Sequence, residues 1–194
     1  MPKITIQEVV PERGALLVAN HSSYLDSLVI LAAIPGRLTF VAKEELSHQW
    51  VAGAFLRRLG TVFVHRSTAR DGVEDTAHQL KIAQSGERII SFPEGTMGRM
   101  PGLHGFRLGT FVVAAQSGLP VIPVILRGTR SVLRPGQWFP RKGEIEVDIS
   151  SPIRPEGCDF AAAIELRDKT RTIILEQCGE PDYSHERLEI PLST

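Results

Sequence analysis

Along this chain, short β-branched runs alternate with longer stretches whose apolar residues recur at helical spacing. That alternation predicts an α/β fold in a single domain, with a mixed, mostly parallel central sheet flanked by helices. Ala15–Ala19 reads as a buried strand that stops abruptly at the polar turn Asn20–Ser23. Ser23-x-x-Asp26 then predicts a capping-box variant opening a helix over Tyr24–Ala33, closed by Pro35-Gly36. Further strands are expected at Leu38–Ala42, Thr61–Val64, Arg88–Phe92, Val121–Leu126 and Glu144–Ile149, the last with one exposed face. Helices are expected at Leu46–Leu59, Asp71–Gln84, Leu108–Gln116, and from an N-cap at Asp159 to Cys178. Each has a glycine just beyond it, the usual helix stop. The polar tail from Glu180 is expected to lie over the surface or fray.

Composition narrows the class without moving the fold. The 194 residues suit one domain, and 42% hydrophobic with 23% charged residues is ordinary for a globular protein. Cys158 and Cys178 are too few for a disulfide framework and lack metal-ligand spacing, so they read as ordinary thiols of a reducing compartment. Met1–Glu12 mixes charges and prolines with its apolar residues and has no secretory h-region. No stretch approaches the roughly 20 apolar residues that span a bilayer. A cytoplasmic protein is expected, with any membrane contact peripheral.

Charge adds one feature. Residues 95–143 carry seven Lys/Arg and no Asp or Glu, whereas residues 144–194 carry five basic and twelve acidic side chains. The basic segment suits an anionic ligand or surface. Equally, the acidic third can fold back and neutralise it.

Candidate chemistry sits in loops that follow strands, which in open α/β sheets collect at one edge and line a crevice. His21 and Asp26 can form a general base with its orienting carboxylate. Five residues apart on one helix they would point about 140° apart. They meet only if His21 lies in the turn and Asp26 in the first helical turn. On spacing alone, a helix cap with an incidental histidine explains the pair better. Phe92-Pro-Glu94-Gly95-Thr96 puts a carboxylate, a flexible glycine and a hydroxyl just past a strand, though a plain turn explains it too. Arg66 follows the Thr61–Val64 strand and suits bidentate phosphate binding, though a surface arginine is the commoner case.

Taken together these segments are more specific. Asn20-His21-Ser-Ser-Tyr-Leu-Asp26 resembles the NHxxxxD signature of the glycerolipid acyltransferases, the family of 1-acylglycerol-3-phosphate acyltransferases. Gly60 to Arg66 is similar to that family's GxxFxxR block, Phe92–Thr96 to its FPEGT block, and Val121-Ile-Pro123-Val124 to its VIPV-like block. All four follow in the family's order over roughly residues 14–130. The resemblance implies an acyltransferase-like fold and direct transfer without an acyl-enzyme. His21 would deprotonate the acceptor hydroxyl while Asp26 stabilises the imidazolium. It places Arg66, Glu94, Gly95 and Thr96 at the acceptor's glycerol phosphate end, with Lys43, Arg99 and Arg107 as further substrate-binding candidates. Val121 and Pro123 would shape the acyl or thioester site. No metal or cofactor is implied. Acyl-CoA or acyl carrier protein enters as co-substrate, and a lysophospholipid as acceptor. Two departures bear on the acceptor: the cation usual after EGT is displaced to Arg99, and a lysine usual in Phe-Lys-x-Gly is Arg107. Many members also carry an N-terminal hydrophobic helical segment, whereas the first expected strand here begins within about fifteen residues of Met1.

The basic stretch then reads as an anionic lipid interface, with Trp138 and Phe139 among its cations, or as a site for CoA phosphates or an acidic carrier protein. No nucleic-acid-binding motif accompanies the charge. Two rival functions remain in view. An α/β-hydrolase would need a G-x-S-x-G elbow, which the sequence lacks. A catalytically silent lipid- or carrier-binding module of the same fold is opposed by the intact His21/Asp26 pair.

Overall fold

Parallel strands buried on both faces need helices on each side, and the chain is arranged in that way. The computed structural model describes residues 3–6, 10–44, 57–58, 61–64, 69–98, 100–137 and 139–185. The strands are β1 (Lys3–Ile6), β2 (Ala15–Ala19), β3 (Thr39–Lys43), β4 (Val62–Val64), β5 (Arg88–Ser91), β6 (Leu103–His104), β7 (Val121–Arg127), β8 (Glu146–Ile149) and β9 (Asp182–Tyr183). The helices are α1 (Asp26–Ala33), α2 (Ala69–Gln84), α3 (Gly109–Ser117), the short α4 (Thr129–Val132) and α5 (Phe160–Cys178).

Among the described residues, seven strands form the main sheet in the order β1-β8-β7-β2-β5-β3-β4. All neighbours are parallel except β7 and β8. Alternation along β2 divides its side chains between two cores. Leu16 and Val18 join Ile89, Phe111, Val121 and Ile125 on the side covered by α3 and α5. Ala15, Leu17 and Ala19 join Ile90, Ile122 and Val124 against Val29, Ile30 and Ala33 of α1. β2 is therefore wholly buried and central, and its C-terminal end emerges between those of β7 and β5.

Most expected elements appear within one or two residues of their predicted bounds. Asp159 caps α5, its side chain accepting the Ala162 N–H at 2.9 Å, and Gly179 ends that helix at φ +73°. The expected helix over Leu46–Leu59 lies outside the described residues except for Arg57 and Arg58, which are helical. Three expectations need correction. Lys3–Ile6 forms a strand paired with β8, hidden in sequence by the charges around its short apolar alternation. The tail beyond Glu180 is neither frayed nor merely laid down at its start: Asp182–Tyr183 pairs in parallel with Leu103–His104. The capping box is only half present. The Ser23 N–H does bond to the Asp26 carboxylate, but Ser23 Oγ accepts from Leu25 N, and α1 begins at Asp26.

Candidate active site

The site starts from a hydrogen-bond problem. Where β2 ends, Asn20 is buried, and its side-chain amide continues the ladder towards β7. Nδ2 donates to the Leu126 carbonyl at 2.9 Å, and Oδ1 accepts the Leu126 N–H at 2.8 Å. This side chain imitates a strand residue and fixes where the next residue, His21, leaves the sheet.

From there the chain folds around one carboxylate. Asp26 is fully buried, and its Oδ2 accepts from Ser22 N at 2.7 Å, Ser23 N at 2.9 Å and His21 Nδ1 at 2.9 Å. An oxygen already taking two backbone N–H bonds faces the ring as an acceptor. Nδ1 therefore donates, and Nε2 keeps its lone pair. The His21 side chain is 19% exposed, so the imidazole reaches solvent while its partner does not. Phe92 supports the ring, stacked at 4.2 Å between centroids and 23° between planes.

The FPEGT turn holds the same loop from the β5 side. The Glu94 carboxylate is buried, with Oε1 accepting His21 N at 2.7 Å and Oε2 accepting His104 N at 3.0 Å. Burial pushes its pKa up to about 7, against the pull of those two backbone N–H groups. Each Glu94 oxygen is thus taken by the protein's own backbone. Gly95 has φ +77°, and a Cβ there would stand 2.6 Å from Arg107 Nε, so the Arg107 side chain lies directly over this glycine. Thr96 is half-buried in the same turn.

From the β7 side, α4 closes the loop. Ser22 Oγ meets Thr129 Oγ1 at 3.1 Å, and Ser23 Oγ donates to the Leu133 carbonyl at 2.6 Å. Arg130 bonds the Gly98 carbonyl at 2.9 Å and Glu180 at 3.0 Å, and Glu180 in turn accepts Gly102 N. The acidic third therefore does fold back on part of the basic segment: Arg130 pairs with Glu180, and Arg127 with Glu146 and Asp148.

The structure thus gathers His21, Asp26, Glu94, Gly95, Thr96 and Arg107 at one edge of the sheet. Val121 and Pro123 do not join them. Both are buried in central β7, and register sets Val121 beside Leu16 at the opposite end of β2 from His21. Val121 packs in the core with Leu16, and Pro123 stands beside Val18. Arg66 and Arg99 lie outside the described residues, as does the side chain of Lys43, the last residue of β3. Asn20, Phe92 and Arg130 are positioning residues to which sequence reasoning assigned no role. Asn20 carried a signal in its place at the junction of a buried strand and a turn. The partners of Arg130 are distant in sequence and left none. Among the described residues, no group of three or more His, Cys, Asp or Glu side chains could hold a metal ion. No described helix is long and apolar enough to cross a membrane.

A doubly flanked, mostly parallel sheet with a histidine–carboxylate pair at its carboxyl edge defines the class. An acyltransferase family model matches residues 2–127, and the chain belongs to that family. It is similar to the 1-acyl-sn-glycerol-3-phosphate acyltransferase of Saccharomyces cerevisiae, 27% identical over 94% of this chain and 61% of that one. The human 1-acyl-sn-glycerol-3-phosphate acyltransferase alpha is 26% identical over 85% of this chain and 59% of its own. The chain thus spans about three fifths of the length of these relatives. Among solved structures, the 1-acyl-sn-glycerophosphate acyltransferase of Thermotoga maritima superposes with a TM-score of 0.72 at 25% identity, over 90% of this chain and 70% of that one.

Proposed function

We propose that this chain transfers an acyl group from a thioester, acyl-CoA or acyl carrier protein, to a hydroxyl of a lysophospholipid such as 1-acylglycerol-3-phosphate. The observation that carries the reading is the 2.9 Å bond from His21 Nδ1 to fully buried Asp26, which leaves Nε2 as the nitrogen to act as base on a ring that reaches solvent. Nε2 takes the proton of the acceptor hydroxyl as its oxygen attacks the thioester carbonyl carbon. The tetrahedral intermediate collapses by breaking the carbon–sulfur bond. The departing thiolate takes the proton back from His21, leaving ester and free thiol. Asp26 stabilises the imidazolium between the two transfers, and no acyl-enzyme is needed. Arg107, whose side chain lies over Gly95, meets the acceptor's phosphate. Glu94 serves this chemistry by fixing the backbone of His21.

The test is to incubate the protein with acyl-CoA and 1-acylglycerol-3-phosphate and follow thiol release and diacylated product together. Equal amounts of both are expected. Thiol without lipid product would identify a hydrolase. No turnover across several donors and acceptors would identify a silent binding module.

A further inference from the structure

We propose that the surface flanking the His21 site is a docking face for an anionic lipid bilayer, formed by Phe139, Tyr24 and Leu28 with Arg134, Arg141 and Lys142. The fold sorts five of the seven cations of residues 95–143 into two groups. Arg127 and Arg130 are held by Glu146, Asp148 and Glu180, and so serve the structure. Arg134, Arg141 and Lys142 are exposed and have no ion pair among the described residues. Phe139 lies between them in sequence and is 85% exposed. Cations that meet lipid phosphates beside an aromatic ring that enters the headgroup region both gain at such an interface.

This surface is fastened to the site. Arg141 N bonds the Val132 carbonyl at 2.8 Å, turning the loop back onto α4. α4 is in turn joined to the His21 loop through Ser22–Thr129 and Ser23–Leu133. Tyr24 follows Ser23 directly, Leu28 stands one helical turn further along α1, and both are exposed while Val29, Ile30 and Ala33 pack the core. Exposed apolar groups and uncompensated cations therefore share one anchor beside the imidazole. The apolar members favour a bilayer over an acidic protein. So does the acceptor, a lipid that resides in one; in that respect the inference rests on the acyltransferase reading.

The test is co-sedimentation with phosphatidylcholine vesicles, with and without phosphatidylglycerol, at low and physiological salt. Binding is expected to need the anionic lipid and to weaken with salt. A triple variant, Arg134→Glu, Arg141→Glu and Lys142→Glu, should bind at least about tenfold more weakly, and Phe139→Ser should bind more weakly in both salts. Both variants should keep the wild-type circular dichroism spectrum. They should also keep wild-type turnover of short-chain, water-soluble acyl-CoA and acylglycerol phosphate. Absence of wild-type binding to anionic vesicles would overturn the proposal. So would equal binding by the variants, or loss of carrier-protein binding with vesicle binding intact. If the wild type shows no soluble turnover, the catalytic reading fails, and the vesicle measurement still decides the surface.

Discussion

At the scale of single residues, the histidine–carboxylate pair separates geometry from charge. Asp26 Oδ2 takes three hydrogen bonds, whereas buried Oδ1 takes none among the described residues. Asp26→Asn can therefore offer its carbonyl oxygen to the same three donors. The protein should fold, at a cost of about 1–3 kcal/mol for the buried amide nitrogen. Transfer should fall at least about 10²-fold, because the imidazolium loses its counter-charge, and His21→Ala should lose as much. Steady-state rates on folded variants check this, and near-native activity in either would remove the pair from the mechanism. Glu94 supplies a pH signature. Its folded pKa of about 7 stands above the ordinary 4.5, so the folded state binds the extra proton between those values. Its contribution to stability is complete below about pH 4.5 and lost as pH rises through about 7, roughly 3 kcal/mol in all. In Glu94→Gln that fall should vanish, measured as the wild-type-minus-variant difference in denaturant midpoints across the range. An unchanged difference would show that Glu94 does not titrate there.

At the scale of elements, the strands and helices were legible because apolar periodicity and glycine stops are local signals. Ala15–Ala19, the Asp159 cap and the Gly179 stop could be read from neighbouring residues alone. The meeting of His21 with Asp26 was readable only as a condition, that the turn and the helix start divide the two. What escaped were features made by distant partners: β1 against β8, β6 against β9, and the Asn20 bridge to Leu126. That bridge predicts a large effect for a small change. Asn20→Ala leaves a buried N–H and carbonyl of β7 unpaired, and should cost about 2–4 kcal/mol in equilibrium unfolding. Gly128 is a second such point, at φ +81° where β7 turns into α4. A Cβ there would stand 2.0 Å from the Glu144 carbonyl oxygen, so Gly128→Ala must displace backbone. Loss of α4's hold on Ser22 and Ser23 should then lower activity as well as stability, which rates and unfolding midpoints of the variant would show.

At the scale of the whole molecule, the uneven charge along the sequence becomes a division of labour. The acidic final third supplies partners to the cations that brace the fold, and leaves the loop after α4 positive. Net charge alone could not show this, since zero is compatible with either arrangement. Arg130 is the brace nearest the site. Arg130→Ala should leave Glu180 without its cation and lower the melting temperature by about 2–6 °C, whereas an exposed pair such as Lys169–Glu156 should matter far less. The Asn20 amide has a consequence of another kind. A loop that begins with a side chain paired into the central strand cannot open on its own, because releasing it uncovers the Leu126 N–H. Deuterium exchange at that single amide should be as slow as exchange in the middle of β7, limited by opening of the core rather than by loop motion. The imidazole that follows Asn20 is then a stationary part of the site, held by the core rather than by the loop.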